Sequence, residues 1–212
     1  GVAIADAPPS CDAAVIAVKP GDVVAAVRAA VEAGARRLLS IAAGVSLETL
    51  EAAAGRDVAV VRAMPNTPAL VRQGVAAIAG GTAAGEADLQ WAESILGAVG
   101  TVVRVREHDL DAVTGLSGSG PAYVFLLAEA LIDAGVAAGL ARPVATALTT
   151  QLLVGSAALL GERGDPAALR AMVTSPAGTT AAGLQALESR AVRAAVVEAV
   201  LAATARSREL GS

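Results

Sequence analysis

Aromatic residues are almost missing from this chain, which has one Trp, one Tyr and one Phe in 212 residues. Any core must therefore be built from small aliphatic side chains, which favours close approach between helices. Cysteine is as scarce. Cys11 is the only one, which excludes an internal disulfide and a multi-cysteine metal site and gives no sign of an oxidising compartment. One histidine, His108, and one lysine, Lys19, complete the short supply of special side chains, and no metal site is expected. No basic stripe or aromatic interleaving accompanies the net charge of −4, so a nucleic-acid partner is not expected. The longest apolar stretches, 24–35 and 122–139, are interrupted by Arg28, Glu32, Glu129 and Asp133. Neither reads as a membrane span, and no secretory signal is present, so a cytoplasmic protein is expected. Residue 1 is Gly and a loop-like lead precedes the first apolar run. The chain therefore reads as a piece of a longer one.

What is abundant is Ala and Val, within a 55% apolar composition. In the first half, apolar runs alternate with helical patterns. Strands are expected at 13–18, 37–42, 58–64, 75–80 and 101–106, and helices at 22–33, 46–54 and 84–99. Ser46 is placed to cap the second helix, and Gly34 to end the first. Such alternation builds a mostly parallel sheet. The 75–80 strand follows its neighbour after a short loop, so an antiparallel pair is expected there. From His108 onward only helical patterns remain, at 109–116, 121–138, 143–162, 166–173, 180–189 and 192–210. Pro121, Pro143 and Pro166 fall where helices begin, where a missing N–H costs nothing. The expected fold class is α/β then all-α: a mostly parallel sheet domain over 1–105 and a helical domain over 106–212. Leu126, Leu127, Leu131, Ile132, Leu148, Leu152, Leu153, Leu159 and Leu160 exceed the need of a bundle of about a hundred residues. A subunit interface is their expected place.

In such sheets ligands lie beyond the carboxyl ends of the strands. Three strands end in Ala17-Val-Lys-Pro20, Ile41-Ala-Ala-Gly44 and Met64-Pro-Asn-Thr-Pro68. Small residues there let a flat ligand reach the backbone, and the Asn66 amide can both donate and accept. Each loop taken singly also suits an ordinary tight turn. Further on, Ser175-Pro-Ala-Gly-Thr-Thr180 opens a helix. Its first-turn N–H groups have no internal partner and suit a small carboxylate or phosphate. An N-capped helix after a proline turn has the same sequence signature.

Taken together, the loops 17–20, 41–44, 62–69, 115–123 and 174–180 resemble those of pyrroline-5-carboxylate reductase, in that family's order and spacing. The resemblance covers essentially the whole chain. It implies reduction of Δ1-pyrroline-5-carboxylate to L-proline with NADPH or NADH, and a homodimer or higher oligomer formed through the helical domain. It also implies that the 1–105 part is an incomplete Rossmann-type domain ahead of a helical dimerisation domain, with roughly the first fifty to sixty residues absent, because no G-x-G-x-x-G precedes Lys19. By the same resemblance, Ala17, Lys19 and Pro20 lie beside the cofactor, with Ala42 and Asn66 near its nicotinamide end. The substrate carboxylate would sit on the N–H groups of Gly178, Thr179 and Thr180. The Thr180 hydroxyl would be the catalytic contact to the ring nitrogen, and Ser117 and Ser119 would line the substrate site. For both serines, helix capping is the competing reading.

Two positions depart from the family pattern. Ala177 replaces a glycine, which adds strain of about 1 kcal/mol if its φ is positive. Ala191-Val192 stands where a Gly-Phe pair is common, with a change in helix-start packing expected. The singletons have plain readings: His108 in a solvated helix start, Cys11 and Tyr123 in packing, Trp91 in core or interface. Two rival functions remain open. A 3-hydroxyacid dehydrogenase type of reductase depends on a helical-domain Lys, and no Lys follows Lys19 here. A non-catalytic relative retaining the fold would more naturally have lost the 174–180 loop.

Overall fold

The computed structural model describes residues 7–211. The loop-like lead expected before the first strand lies partly outside the described residues. Five strands form one sheet in chain order: β1 (Ala13–Ile16), β2 (Arg37–Ser40), β3 (Ala59–Met64), β4 (Gly74–Gly80) and β5 (Gly100–Arg104). The pairs β1–β2 and β2–β3 are parallel, β3–β4 is antiparallel, and β4–β5 is parallel. Helices α1 (Val23–Glu32), α2 (Leu47–Ala54) and α3 (Glu86–Leu96) fill the intervals. Gly34, at φ +110°, follows α1, and the Ser46 hydroxyl caps α2 by accepting from the Thr49 N–H at 3.2 Å.

Neighbouring residues of β2 and β3 are buried on opposite faces. Leu38 and Val60 join the α1–α2 side of the core, whereas Leu39, Val61 and Ile78 join the α3 side. This double burial is why these strands read as continuous apolar runs. Cys11 packs against the first cluster, and Trp91 packs against the second with the Arg37 guanidinium 5.4 Å from its ring centre.

Beyond β5 come α4 (Leu110–Val113), a π-helical turn (Thr114–Gly118), α5 (Gly120–Ala137), α6 (Arg142–Arg163), α7 (Pro166–Met172), α8 (Thr179–Ser189) and α9 (Val192–Gly211). Packing divides the described residues into two units. One holds 7–121 together with 199–211, so the end of α9 belongs with the sheet; the other is Ala122–Glu198. In the second unit, α5 and α6 approach closely through small residues: a Cβ on Gly135 would lie 3.0 Å from that of Ala145. By length and composition alone, Glu107–Ala137 and Arg142–Arg163 are long and apolar enough to cross a membrane.

Candidate active site

The parallel order of β1, β2 and β3 brings their three carboxyl-end loops to one sheet edge. Ala17, Lys19 and Pro20 are exposed there, whereas Ala42 is buried and it is Ala43 that faces outward. Because β4 runs antiparallel to β3, it begins at this same edge. Asn66 sits between them in extended conformation. Its Oδ1 accepts from the Val75 N–H at 2.9 Å, and its Nδ2 donates to the Ser117 carbonyl at 3.1 Å.

The π-helical turn is shaped by its glycines. A Cβ on Gly115 would lie 2.7 Å from the Val200 carbonyl and 3.0 Å from the Thr204 N–H nitrogen, so only glycine lets α9 pack here. A Cβ on Gly118 would lie 2.6 Å from Cε of Met64, at the end of β3. The Ser119 N–H closes the wide turn on the Thr114 carbonyl at 2.8 Å. Wide turns of this kind recur at functional sites. The two predicted serines are not equivalent. The Ser117 hydroxyl donates back to the Val113 carbonyl at 3.1 Å, while Ser119 faces a cavity of about 380 Å³.

That cavity is mostly apolar. Pro20, Ala43, Gly44 and Thr114 line it from the sheet side, and Ala203 and Leu210 form a wall from the last turns of α9. The wall is held by the Ser207 hydroxyl, which donates to Asp111 Oδ1 at 2.7 Å. Gly44 has φ +74°, and its Cβ position is 3.4 Å from the Leu210 carbonyl oxygen. Small, mostly apolar residues around an opening of this size fit the flat nicotinamide end of a dinucleotide. No motif in the sequence marked Thr114, Ala203 or Leu210. The loops 17–20, 41–44 and 115–123 pointed to the rest of this lining through Pro20, Ala43, Gly44 and Ser119.

Behind the same edge, the largely buried Arg62 meets Glu107 at 3.0 Å. That carboxylate also accepts from the Leu47 N–H at the start of α2, at 2.5 Å. His108 is exposed, with Nε2 3.3 Å from Asp109 Oδ1, and takes no part in the cavity just described.

In the helical unit, Ser175, Pro176, Ala177 and Gly178 form a tight turn. The Gly178 N–H donates to the Ser175 carbonyl at 3.1 Å, and Ala177 has φ +56°. Pro at the second position and a positive φ at the third are the pattern of a type II turn, which favours glycine third. The strain expected at Ala177 is therefore present. The second departure from the family pattern, Ala191, is also left-handed, at φ +55°. Gly178 stands at the N-cap of α8 and offers no side chain to cap it. Its own N–H is spent on Ser175, so the open donors among the described residues are those of Thr179, Thr180 and Ala181. The half-buried Thr180 hydroxyl makes no hydrogen bond among the described residues.

A mostly parallel sheet whose carboxyl-end loops gather at one edge, followed in the chain by a run of helices, places the protein in the Rossmann-type class. Known relatives narrow the class. The family model described as pyrroline-5-carboxylate reductase dimerisation matches residues 107–210. A pyrroline-5-carboxylate reductase from Synechocystis is 49% identical over 199 residues, covering 92% of this chain and 74% of the relative. The structure of a pyrroline-5-carboxylate reductase from Coxiella burnetii aligns with TM-score 0.90 at 36% identity, over 95% of this chain and 76% of that one. The Plasmodium falciparum pyrroline carboxylate reductase, solved with NADP bound, aligns with TM-score 0.85 at 35% identity, over 95% and 78%. The chain belongs to the pyrroline-5-carboxylate reductase family.

Proposed function

We propose that this chain reduces Δ1-pyrroline-5-carboxylate to L-proline, the last step of proline biosynthesis, in the cytoplasm and as a homodimer or higher oligomer. The observation that carries the reading is the 49% identity to a reductase over 92% of the chain. The dinucleotide is assigned to the 1–105 part, and substrate binding and self-association to the 106–212 part. Ala17, Lys19 and Pro20, with Ala43 beside the buried Ala42, frame the cofactor, and Asn66 supports the same edge through Val75 and Ser117. When bound, NADPH or NADH supplies a hydride.

The chain's own residues bind and orient the substrate. The open N–H groups at the start of α8, with the Gly178 turn behind them, hold the substrate carboxylate, because unsatisfied donors and the helix dipole both favour an anion. The Thr180 hydroxyl hydrogen-bonds the ring nitrogen. Ser119 and Ser117 belong to the segment that shapes the substrate site. The ring nitrogen carries one proton taken from solvent before binding, which would make the imine a better hydride acceptor.

The test is NADPH oxidation with Δ1-pyrroline-5-carboxylate by the protein restored to full length, comparing wild type with Thr180→Ala and Thr180→Ser. Loss of one donor at a reacting group costs about 10²-fold in kcat/KM, and Thr180→Ser should recover most of it. An inactive wild type would overturn the function. An active Thr180→Ala would remove Thr180 from the chemistry.

A further inference from the structure

The carbonyl of Ser117 has a peculiar position. In a continuing helix it would accept from the N–H four residues on, but residue 121 is proline and has none. Half-buried backbone carbonyls seek another donor. The donor here is the Asn66 amide, 51 positions earlier in the chain, at 3.1 Å. The same side chain accepts from the Val75 N–H at 2.9 Å. One neighbour is an N–H and the other a C=O, so the amide can be oriented only one way. An amide is the group that offers an acceptor and a donor side by side. The turn also packs on the end of β3, where Gly118 meets Met64.

We propose that Asn66 is a positioning residue: its amide latches the 114–118 turn to the β4 end of the sheet edge, and it acts on the reaction through that turn. What it positions is Thr114 and Ser119, which line the cavity at the cofactor edge. The consequence for turnover rests on the reductase reading; the latch itself does not.

Asn66→Asp tests this. The carboxylate keeps an acceptor for Val75 but turns a second oxygen toward the Ser117 carbonyl. Protonated, the same group regains an O–H donor. Leaving a buried carbonyl unpaired costs about tenfold or more in an equilibrium. Two readouts are expected. By hydrogen exchange of the enzyme without ligand, the segment 114–120 should exchange about tenfold faster than wild type at pH 8, and the difference should close as pH falls and the carboxyl protonates. In turnover, kcat/KM should fall at pH 8 and recover toward wild type at lower pH. If Asn66→Asp is poorly folded, Asn66→Ala is compared with Asn66→Ala plus Pro121→Ala, which returns an N–H four residues after Ser117 and should restore protection of 114–120. Unchanged exchange of that segment in these variants would overturn the latch, and a turnover defect that does not recover at lower pH would overturn its action on the reaction. An inactive wild type with the expected exchange pattern would sink the reductase reading and leave the latch standing.

Discussion

The sheet unit and the helical unit solve the same burial problem differently. In the sheet unit, Leu38, Leu39, Val60, Val61 and Ile78 are at most 1% exposed, because helices cover both faces of the central strands. In the helical unit, Phe125 and Leu126 on α5 are 62% and 66% exposed, and only Ala145 and Thr149 of α6 are buried. The apolar residues of α5 and α6 run around more than one side of each helix, so a single chain cannot cover them. The sheet unit buries its central strands among the described residues. The helical unit leaves a contiguous apolar surface of the kind that a second copy covers, in agreement with the dimerisation family model over 107–210.

Truncations in the two regions should therefore fail differently. Leu39→Ala removes a fully buried side chain and should lower the unfolding free energy by about 2–5 kcal/mol, independent of protein concentration in denaturant titrations. Leu126→Glu should leave the sheet unit folded but weaken self-association by at least about 30-fold, read by sedimentation. If Leu126→Glu unfolds the whole chain at every concentration, or leaves the oligomer intact, the contrast between the units is wrong.

A smaller effect sharpens the same contrast within the helical unit. Ala177→Gly relieves a left-handed alanine and should raise stability by about 1 kcal/mol, seen as a higher melting temperature. A decrease would mean that the turn gains more from a restricted unfolded chain than it loses in strain.

The smallest expected effect lies on the surface of the sheet unit. Arg104 sits 2.7 Å from Glu86 and 2.5 Å from Glu93. Hydrogen bonds from Arg104 hold both carboxyls below the usual glutamate range. Folded values below the unfolded ones contribute stability at higher pH, and that contribution is lost as pH falls through the folded values. Arg104→Gln should thus lower the melting temperature slightly at pH 7 and converge with wild type below about pH 4. A gap that persists in acid would assign the effect to packing of the arginine stem.

Much of the fold and part of the site are legible in the chain's own pattern. The alternation of apolar runs and helical patterns locates every strand within a few residues, and the short loop before the 75–80 run announces the antiparallel pair. The five family loops identify the sheet edge and the start of α8. The sequence does not reveal that Asn66 spends its amide on Val75 and Ser117, that Gly178 spends its N–H on Ser175, or that Ser117 and Ser119 differ in where their hydroxyls go. A motif names the residue type at a position, and its hydrogen-bond partner is chosen by elements far away in the chain.

The sequence by itself determined the order of elements, the shortage of large side chains that forces helices close together, and the family, because these depend on local pattern and on residue identity. Only the tertiary structure decided that the last turns of α9 pack with the sheet. Thr204 against Gly115 and Ser207 against Asp111 are contacts made across about ninety residues of chain. Helical periodicity specifies which face of α9 is apolar and leaves its partner open. The structure also decided that Ala177 and Ala191 are left-handed, since backbone φ at such positions is imposed by the turn that surrounding elements must close.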